Sequence, residues 1–397
     1  MNTILELFEN NLNNTKVLYQ EDGTDKSKWF SYSSNELKQT AMNFISHIDE
    51  TKFYDSNKVV VINGENTVTD FCKILACLYI GAIPIHITNS WGNGYKKVIL
   101  DDLDIVYNYV LWEDIYNINF NNTNVNLKNV WQTINSNTAL FLALDFKSIK
   151  FVKFTIEAYK NIILEAYPDD IQDNDEIFIG LFDWGLYTRV ISNMLTNSRL
   201  YLTGDKFGTL WKEDTDKKSK SIVDFFTKLK CKQFRGCDNT LAALKIISEQ
   251  KILENPSITQ TALKEAVFGK NIEKIICIIY PKNLTRASEL VDFFKTKMNI
   301  DICYQLYITE IPYCLRTLPN DYQQKKMKPF STDTNKVDTY TDINSNLFVK
   351  THSMCIGFLD PKKQIEKDVN GYMKTAFKAT KDTNNYISLI DEDKKKL

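Results

Sequence analysis

Arginine, histidine, glycine and proline are scarce in this sequence of 397 residues, which contains 3 His, 13 Gly and 8 Pro. Arginine occurs only at Arg189, Arg199, Arg235, Arg286 and Arg316, so few guanidinium groups can grip a phosphate bidentately. The 8 cysteines form no Cys-x-x-Cys pair, and their spacing fits neither a disulfide framework nor a zinc site. With a net charge of −1, no overall field favours nucleic acid or an anionic membrane.

Long apolar runs are also lacking. The longest, residues 74–87, is too short to span a bilayer and contains Pro84 and His86. The first residues, MNTILELFENN, have no basic segment followed by an apolar one, as a signal peptide would. Cys72 and Cys77 lie among apolar residues and are expected to be buried, reduced thiols. These features predict a soluble cytoplasmic protein that has no membrane span and does not bind nucleic acid.

The clearest structural signal covers residues 58–88. KVVVIN is a short β-branched run typical of a strand buried on both faces. Apolar residues then recur at helical spacing on one face, at Val68, Phe71, Cys72, Leu75, Ala76 and Tyr79. Gly81 is placed to end that helix, and AIPIHIT reads as the next strand. This β-α-β unit predicts a parallel sheet.

The same alternation continues along the chain. Strands are predicted at 16–20, 29–32, 177–182, 198–203, 272–280 and 301–310, and helices at 35–48, 187–195, 221–230, 239–250 and 288–298. Ser33 and Glu36 form a capping box before the first helix, and Asn239 is expected to cap the fourth. Residues 318–345 read as a polar loop. Four short strands follow within 345–390 and predict a small β-rich lobe. No internal repeat is apparent.

The segment KVVVINGENTVTDFCKILACLYIGAIPIHIT resembles the early β-α-β unit of the adenylate-forming (AMP-binding) superfamily, which includes acyl- and aryl-CoA ligases and adenylation domains. The order of elements follows this family along almost the whole chain. The resemblance implies an α/β fold with two interleaved parallel-sheet lobes in residues 1–320 and a β-rich lobe in 321–397 that ends at the family's hinge. It also implies that the family's C-terminal domain, with its catalytic lysine, is absent.

The family's phosphate loop is the first motif to compare. It is rich in Gly, Ser and Thr, because glycines let backbone N–H groups approach the phosphate oxygens. The matching stretch, residues 139–162, supplies Ser148, Lys153 and Asn161, the last where the following helix opens. Glycine is absent between Leu140 and Pro168, and Asp145 takes a Ser/Thr position. The bulky residues Phe146, Ile149, Phe151 and Phe154 are expected to pack rather than to cradle a triphosphate.

A second family motif, Tyr-Gly-x-Thr-Glu, matches LYITE (306–310) only at Thr309 and Glu310. In the family these residues touch the AMP phosphate and hold Mg²⁺, so Glu310 is the candidate metal ligand. Tyr307 stands at the glycine position and is expected to fill the adenine slot. A pair of Thr and Glu is a weak motif, and these two residues could simply end a strand.

The third motif, Gly-Trp-x-x-Thr-Gly-Asp, matches GYMKTAF (371–377) at Gly371, Tyr372 and Thr375. Phe377 replaces the aspartate that holds the ribose hydroxyls, and each buried unpaired hydroxyl would cost roughly 1–3 kcal/mol. Glu392 falls where the hinge arginine would lie. Each such loss can reduce the rate by about 10²–10³-fold. Together they predict that ordinary ATP-dependent adenylation does not occur.

Other active sites are not apparent in the sequence. Phe182 and Trp184 lie where the family lines its acyl or aryl pocket, although aromatic pairs also fill cores. His86 reads as a satisfied histidine within a strand, and His47 as a residue at a helix C-terminus.

Three interpretations therefore remain open. The first is a non-catalytic homologue without cofactor that binds an acyl or aryl carboxylate, an acyl or peptidyl carrier protein, or an active ligase partner. The second is an active acyl- or aryl-acid ligase that uses ATP and Mg²⁺ and is completed by a separate C-terminal domain. The third is an unrelated α/β binding protein, which would lack the parallel strand pair at 58–63 and 82–88.

Overall fold

The computed structural model of the chain divides into two compact units. Unit 1 comprises residues 1–174, 181–209 and 355–364, and unit 2 comprises residues 175–180, 210–354 and 365–397. The structure describes residues 17–21, 29–49, 59–64, 67–88, 93–106, 109–117, 139–145, 150–155, 158, 161–162, 176–179, 199–202, 232–279, 284–306, 308, 310–311, 315–317, 327–329, 336–358 and 364–390. For some of these residues, Lys153 among them, only the backbone is described. The helices predicted at 187–195 and 221–230 lie outside these ranges.

Unit 1 begins with an antiparallel strand pair followed by a helix. Strands β1 (Val17–Glu21) and β2 (Trp29–Ser33) pair, and β9 (Arg199–Leu202) runs parallel to β1. The predicted capping box is confirmed: Glu36 N–H donates to Ser33 Oγ, and Ser33 N–H donates to the Glu36 carboxylate. The helix α1 (Ser34–Ser46) that it opens packs against the next helix of the chain.

The predicted β-α-β unit is confirmed. Strand β3 (Val59–Gly64), helix α2 (Val68–Tyr79) and strand β4 (Ile83–Thr88) follow in order, and the two strands pair in parallel. Gly81 has a positive φ of 73°, as expected where α2 ends. The one-face pattern was too narrow, because Asp70, Ile74, Cys77 and Leu78 are buried as well. These residues are buried because α2 contacts α1 as well as β3 and β4. The apolar periodicity of one helix face does not predict contacts on the other faces.

The rest of unit 1 extends these elements. They are α3 (Asn93–Val106), β5 (Tyr109–Leu111), α4 (Trp112–Ile115), β6 (Ala139–Asp145), β7 (Lys150–Thr155) and β17 (Gly357–Phe358). Strand β5 joins β3 in parallel on the side away from β4. Strands β6 and β7 form an antiparallel pair, and β17 adds to β7. The prediction that 354–360 belongs to the β-rich lobe was therefore wrong.

Unit 2 contains a parallel sheet in the order β8, β10, β11, β12, to which β13 and β14 add antiparallel. These strands are β8 (Glu176–Ile179), β10 (Gln233–Cys237), β11 (Lys274–Ile279), β12 (Asp301–Leu306), β13 (Leu315–Arg316) and β14 (Lys328–Pro329). The sequence did not predict β10, because the polar Gln233 and Arg235 interrupt its apolar residues and Gly236 is a poor strand former. Pairing with β8 and β11 on both sides outweighs this weak local preference.

Three helices accompany this sheet: α5 (Asp238–Glu254), α6 (Gln260–Phe268) and α7 (Leu284–Met298). The expected cap at Asn239 was wrong, because α5 begins at Asp238, directly after β10. Helix α6 was not predicted, although its signals are present. Thr259 accepts the Ala262 N–H at its start, and Gly269 follows its end with a φ of 79°.

The predicted β-rich lobe contains an antiparallel sheet in the order β15, β16, β18, β19. Its strands are β15 (Asp338–Thr341), β16 (Asn346–Lys350), β18 (Met373–Lys381) and β19 (Ile387–Ile390). Because β14 and β15 lie within 318–345, the expected uninterrupted loop was wrong there. Side chains along β18 alternate between buried and solvent-facing positions, so the sheet has an inner and an outer face.

The five cysteines whose side chains are described are Cys72, Cys77, Cys277, Cys303 and Cys355, and all are buried thiols that form no disulfide. Burial, together with nearby Asp70, raises the pKa of Cys72 to about 12, so its thiol stays protonated. This agrees with the interpretation of small buried hydrophobic residues. Within the part of the chain that the structure describes, no helix is long and apolar enough to cross a membrane.

Candidate functional site

Most of the predicted site residues lie outside the described residues. These are Ser148, Phe182, Trp184, Tyr307, Thr309 and Glu392, together with the side chain of Lys153. Their proposed roles stay predictions. The described residues within the three motif segments include Val152, Phe154, Asn161, Glu310, Thr375 and Phe377, and each can be placed.

The phosphate-loop position lies between two antiparallel strands. Asp145 at the end of β6 pairs with Lys150 at the start of β7, and Lys153 pairs with Leu142 and Gly357 through its backbone. Val152 and Phe154 are buried, which confirms the expected packing for Phe154. Val152 and Phe154 therefore belong to the core of unit 1.

The helix after β7 begins earlier than the motif comparison suggested. The Ala158 N–H donates to Thr155 Oγ1 over 3.0 Å, an N-cap bond, and residues 158, 161 and 162 are helical. Asn161 is buried within this helix rather than opening it. The prediction that Asn161 opens the helix was wrong, because the hydroxyl of Thr155, six residues earlier in the chain, caps it.

The second motif follows strand β12, which ends at Leu306 instead of continuing to residue 310. Ile308 and Ile311 are buried, and the Ile311 N–H donates to the Ile308 carbonyl, so Glu310 stands in a turn, half-buried. A carboxylate here lies at the carboxyl end of a parallel strand, where α/β sheets commonly bind ligands. The geometry is compatible with a polar role for Glu310, and among the described residues it belongs to no group of three His, Cys, Asp or Glu that could hold a metal ion.

Arg316 lies close to this motif, and sequence reasoning missed it. It stands on β13 opposite Gln305 of β12, and it is only 7% exposed. A buried guanidinium is uncommon because it must be paired to offset desolvation. A signal was available, since arginine is so rare in this chain and this one interrupts the apolar run YCLRTL.

The third motif is placed most fully. Thr375 and Phe377 lie on the inner face of β18, and Phe377 is 3% exposed. The Thr375 hydroxyl donates to the Leu347 carbonyl over 2.9 Å and accepts the Phe377 N–H at 3.2 Å. At the position of the family's ribose-binding aspartate the chain therefore has a buried phenyl ring, which cannot accept a hydrogen bond from a ribose hydroxyl.

A further polar cluster surrounds Asp70 near the carboxyl ends of β3 and β4. The Thr67 N–H and hydroxyl both donate to Asp70 Oδ2 at 3.1 Å, forming a capping box for α2. Lys73 Nζ lies 3.7 Å from Oδ1, and His86 Nε2 lies 3.7 Å from Oδ2. Among the described residues, His86 Nε2 is buried without a hydrogen-bond partner. The expectation of a satisfied histidine was therefore wrong for this nitrogen atom.

A five-residue turn recurs three times in the β-rich lobe, as DINSN, DVNGY and DTNNY. Asp342, Asp368 and Asp382 each accept two backbone N–H groups, from the residues two and four positions later. The fourth residue of each turn has a positive φ. These carboxylates stabilise the turns. The three aspartates therefore have a structural role that requires no bound ligand. In the described part of the chain, no group of three His, Cys, Asp or Glu could hold a metal ion.

Asp368 also accepts a 2.7 Å hydrogen bond from the Tyr340 hydroxyl. This bond, followed by backbone donors, lowers the pKa of Asp368. The same bond raises the pKa of Tyr340 to about 12. The Asn346 side chain lowers the pKa of Asp342 in the same way. Since these carboxyls titrate lower when folded, their contribution to stability is complete above the ordinary aspartate pKa of about 4 and is lost as the pH falls through the folded pKa.

We expect Asp368→Asn to flatten this acid dependence. An asparagine oxygen can still accept the turn N–H groups, but the side chain no longer titrates. The urea midpoint of the variant should lie below that of the parent chain at pH 7, and the difference should shrink towards pH 3. A difference that stays constant between these pH values would show that Asp368 does not contribute through its charge.

The sequence matches no family model and no curated protein. Solved structures resemble it closely in fold. The unliganded O-succinylbenzoate coenzyme A synthetase of Bacillus subtilis has a TM-score of 0.68 at 12% identity, over 97% of this chain and 78% of that one. The N-terminal domain of FACL13 from Mycobacterium tuberculosis has a TM-score of 0.69 at 13% identity, over 98% of this chain and 100% of that one.

A long-chain-fatty-acid-CoA ligase from Archaeoglobus fulgidus gives a TM-score of 0.69 at 12% identity, over 98% of this chain and 84% of that one. At such low identity the likeness speaks for the fold and not for the activity. The parallel β3-α2-β4 unit and the antiparallel β-rich sheet agree with it. This chain therefore has the fold of the N-terminal domain of the adenylate-forming acyl-CoA ligases.

Proposed function

We propose that this chain is a non-catalytic relative of the adenylate-forming ligases. It acts as a binding or partner subunit in acyl- or aryl-acid or carrier-protein metabolism, in the cytoplasm, without a cofactor of its own. Its partner is an active ligase or an acyl or peptidyl carrier protein, and its small-molecule ligand is an acyl or aryl carboxylate.

The observation that carries this proposal is the burial of Phe377 on strand β18, together with the hydrogen bonds that Thr375 makes there. At the position of the family's ribose-binding aspartate, Phe377 is buried in the inner face of the sheet. Thr375, two residues earlier, uses its hydroxyl on the Leu347 carbonyl and the Phe377 N–H. Neither side chain can accept a hydrogen bond from a ribose without breaking this packing, and an unmet hydroxyl would cost roughly 1–3 kcal/mol.

The phosphate-loop position supports the same proposal. Strands β6 and β7 are joined by residues 146–149, and glycine is absent from the whole stretch between Leu140 and Pro168. Phosphate cradles depend on glycines because a Cβ would keep backbone N–H groups away from the oxygens. Phe154 packs into the core one residue after Lys153. The absence of glycine here supports the proposal that this chain does not hold ATP in the way that other proteins of this fold do.

Nucleotide titration tests the proposal directly. We expect neither ATP nor AMP, with Mg²⁺, to shift the melting temperature or to give a calorimetric isotherm at millimolar concentration. A ligand present at 100 times its Kd would raise the free energy of unfolding by about 2.7 kcal/mol, which a thermal shift detects readily. The synthetase of Bacillus subtilis, whose structure is known with ATP and magnesium ion, is the positive control. Micromolar binding by this chain would refute the proposal.

The alternative is an active ligase whose site is completed by a separate C-terminal domain. Glu310 in the turn after β12 favours it, because this position is compatible with a polar role. ATP–pyrophosphate exchange, measured across a panel of carboxylic acids with and without such a domain, distinguishes the active ligase from the non-catalytic relative. Exchange that depends on the added domain would establish the alternative, and its absence would leave the non-catalytic function.

A further inference from the structure

The three aspartate-held turns of the β-rich lobe share a backbone geometry but differ in the residue that follows their asparagine. They are DINSN (342–346), DVNGY (368–372) and DTNNY (382–386), called the first, second and third turn below. In each, the third residue is an asparagine, and the N–H of the fourth donates to the aspartate carbonyl over 2.9, 3.0 and 3.1 Å. The fourth residue is Ser, Gly or Asn, with a φ of 62°, 81° and 64°. The peptide group after the asparagine is therefore presented alike in all three turns.

The second turn contains an Asn–Gly pair, Asn370 and Gly371. Asn370 is exposed, and among the described residues its side-chain amide has no hydrogen-bond partner. Glycine has no Cβ, so nothing shields its backbone nitrogen from the side-chain carbonyl carbon of the asparagine before it. By contrast, the pair Asn63 and Gly64 ends strand β3, where pairing with β4 holds the backbone. In the exposed turn the Asn370 side chain is able to rotate towards the Gly371 nitrogen.

Lys350 acts on the same peptide group. Its Nζ donates to the Asn370 carbonyl over 2.8 Å and lies 3.9 Å from the position that a Cβ on Gly371 would occupy. A charged donor on a carbonyl oxygen draws electron density from the amide and favours loss of the proton from the Gly371 nitrogen. The nearby positive charge also stabilises the negative charge that develops on this nitrogen. In the described part of the chain, the carbonyls of Asn344 and Asn384 receive no such bond.

From this arrangement we propose that Asn370 is a site of spontaneous deamidation that Lys350 assists. The Gly371 nitrogen forms a bond to Cγ of Asn370, and the bond from Cγ to the side-chain nitrogen breaks. The proton of Gly371 goes to the departing nitrogen, so that ammonia leaves and a succinimide ring remains. Water then opens the ring at either carbonyl, which gives aspartate or isoaspartate at position 370. The inference goes beyond the proposed partner role and does not depend on it.

The isoaspartate product cannot keep the hydrogen bonds of the second turn. Asp368 Oδ1 accepts the N–H groups of Asn370 and Tyr372 at 2.8 and 2.9 Å. Isoaspartate carries the main chain through its side chain, which adds one carbon atom between these two N–H groups. The carboxylate can then no longer accept both with good geometry. Because Asp368 also accepts the Tyr340 hydroxyl at 2.7 Å, the change loosens the contact between this turn and β15.

Peptide mapping by mass spectrometry on the full chain measures the reaction at each asparagine separately. The chain is incubated at mildly alkaline pH, which favours loss of the amide proton, and the replacement of side-chain NH2 by OH is followed with time. We expect Asn370 to convert faster than Asn344 and Asn384 in the matching turns, and faster than Asn63 in β3. Isoaspartate should form at position 370, and the urea midpoint of the chain should fall as it accumulates.

Two substitutions of Lys350 test its part in the reaction. Lys350→Met removes the ammonium group and should slow conversion of Asn370 by about threefold, a modest change because the bond is exposed to solvent. Lys350→Arg keeps a charged donor and should retain most of the rate. Asn93, which also precedes a glycine but lies outside this lobe, is the internal reference and should react equally in all these chains. In urea, where the turn is unfolded, Lys350→Met should have no effect.

Exchanging residues between the turns tests the role of the glycine. Gly371→Asn copies the third turn, and it should fold because asparagine tolerates a positive φ and no heavy atom lies closer than 3.8 Å to the added Cβ. Conversion of Asn370 should then fall to the rate of Asn384. The reciprocal change, Asn385→Gly, should make Asn384 reactive, although less so than Asn370 because the third turn has no lysine on its asparagine carbonyl.

Several results would overturn the proposal: conversion of Asn370 no faster than that of Asn344, an unaltered rate in Gly371→Asn, or a rate in folded Lys350→Met equal to or above that of the parent chain. The last result would show that Lys350 only stabilises the turn. Circular dichroism and the urea midpoint, measured before incubation, confirm that each variant folds. The nucleotide titration is independent of these measurements, so the non-catalytic function and the deamidation site can each fail alone.

Discussion

Phe377→Asp, which restores the aspartate of the family motif, is expected to destabilise unit 2 severely and not to create a nucleotide site. The ring is 3% exposed on the inner face of β18. Deleting a buried phenyl ring alone costs about 3–5 kcal/mol. A carboxylate buried in its place adds a desolvation penalty, because only well-paired charges are tolerated there. The sum approaches the whole stability of a typical domain, about 5–15 kcal/mol.

The measurement is the urea midpoint of the variant and of the parent chain, with unfolding monitored by circular dichroism and by tyrosine fluorescence. Phe377→Leu is the matched control, since it keeps the site apolar and should cost much less than the aspartate variant. If Phe377→Asp proved as stable as the parent chain and bound AMP, the position would face an open cleft. Both the burial of Phe377 and the proposed loss of catalysis would then be contradicted.

Gly64→Ala is expected to have the second largest effect, because the added methyl has no room. A Cβ at this buried position would lie 2.3 Å from Asp70 Cγ and Oδ2 and 2.4 Å from Oδ1. The aspartate cannot easily move aside, since Thr67 holds it in the capping box of α2 and Lys73 and His86 lie 3.7 Å away. Relieving the overlap by breaking the cap should cost about 2–4 kcal/mol, from overpacking and the lost cap together.

Gly94→Ala is the control for this variant. Gly94 is exposed within α3, and nothing lies within 4 Å of the added Cβ. Alanine should therefore be neutral or stabilise the chain by up to about 1 kcal/mol. In an Asp70→Ala background, Gly64→Ala should lose most of its cost, because the overlapping carboxyl is gone. Additive effects of the two substitutions would show that the strain arises elsewhere.

The cluster around Asp70 illustrates where prediction from sequence ended. The periodicity of residues 68–79 predicted helix α2, and the strand pattern predicted β3 and β4, because each pattern is set by neighbours along the chain. The burial of Asp70 and its approach to His86 depend on β4 lying parallel to β3, 15 or more residues away. No local pattern encodes which polar side chain is enclosed by that pairing.

At the motif positions the division is similar. That Phe377 replaces a carboxylate is visible in the sequence, and so is the absence of glycine from 140–168. That the Thr375 hydroxyl is engaged by Leu347 could not be predicted, because this contact joins two strands whose register includes an irregularity between Asn346 and Phe348. The buried Arg316 likewise required the pairing of β12 with β13.

By itself the sequence determined the local features of this protein: the capping box at Ser33, the turn at Gly81, and the alternation of β18. All of these depend on hydrogen bonds and sterics within a few residues. Only the tertiary structure decided that the weak strand β10 forms between two neighbours, that β17 returns to unit 1, and which faces are buried. Those outcomes depend on pairing between segments that are distant in the sequence. The free energy that stabilises them comes from contacts between such segments, so no single stretch of sequence predicts it.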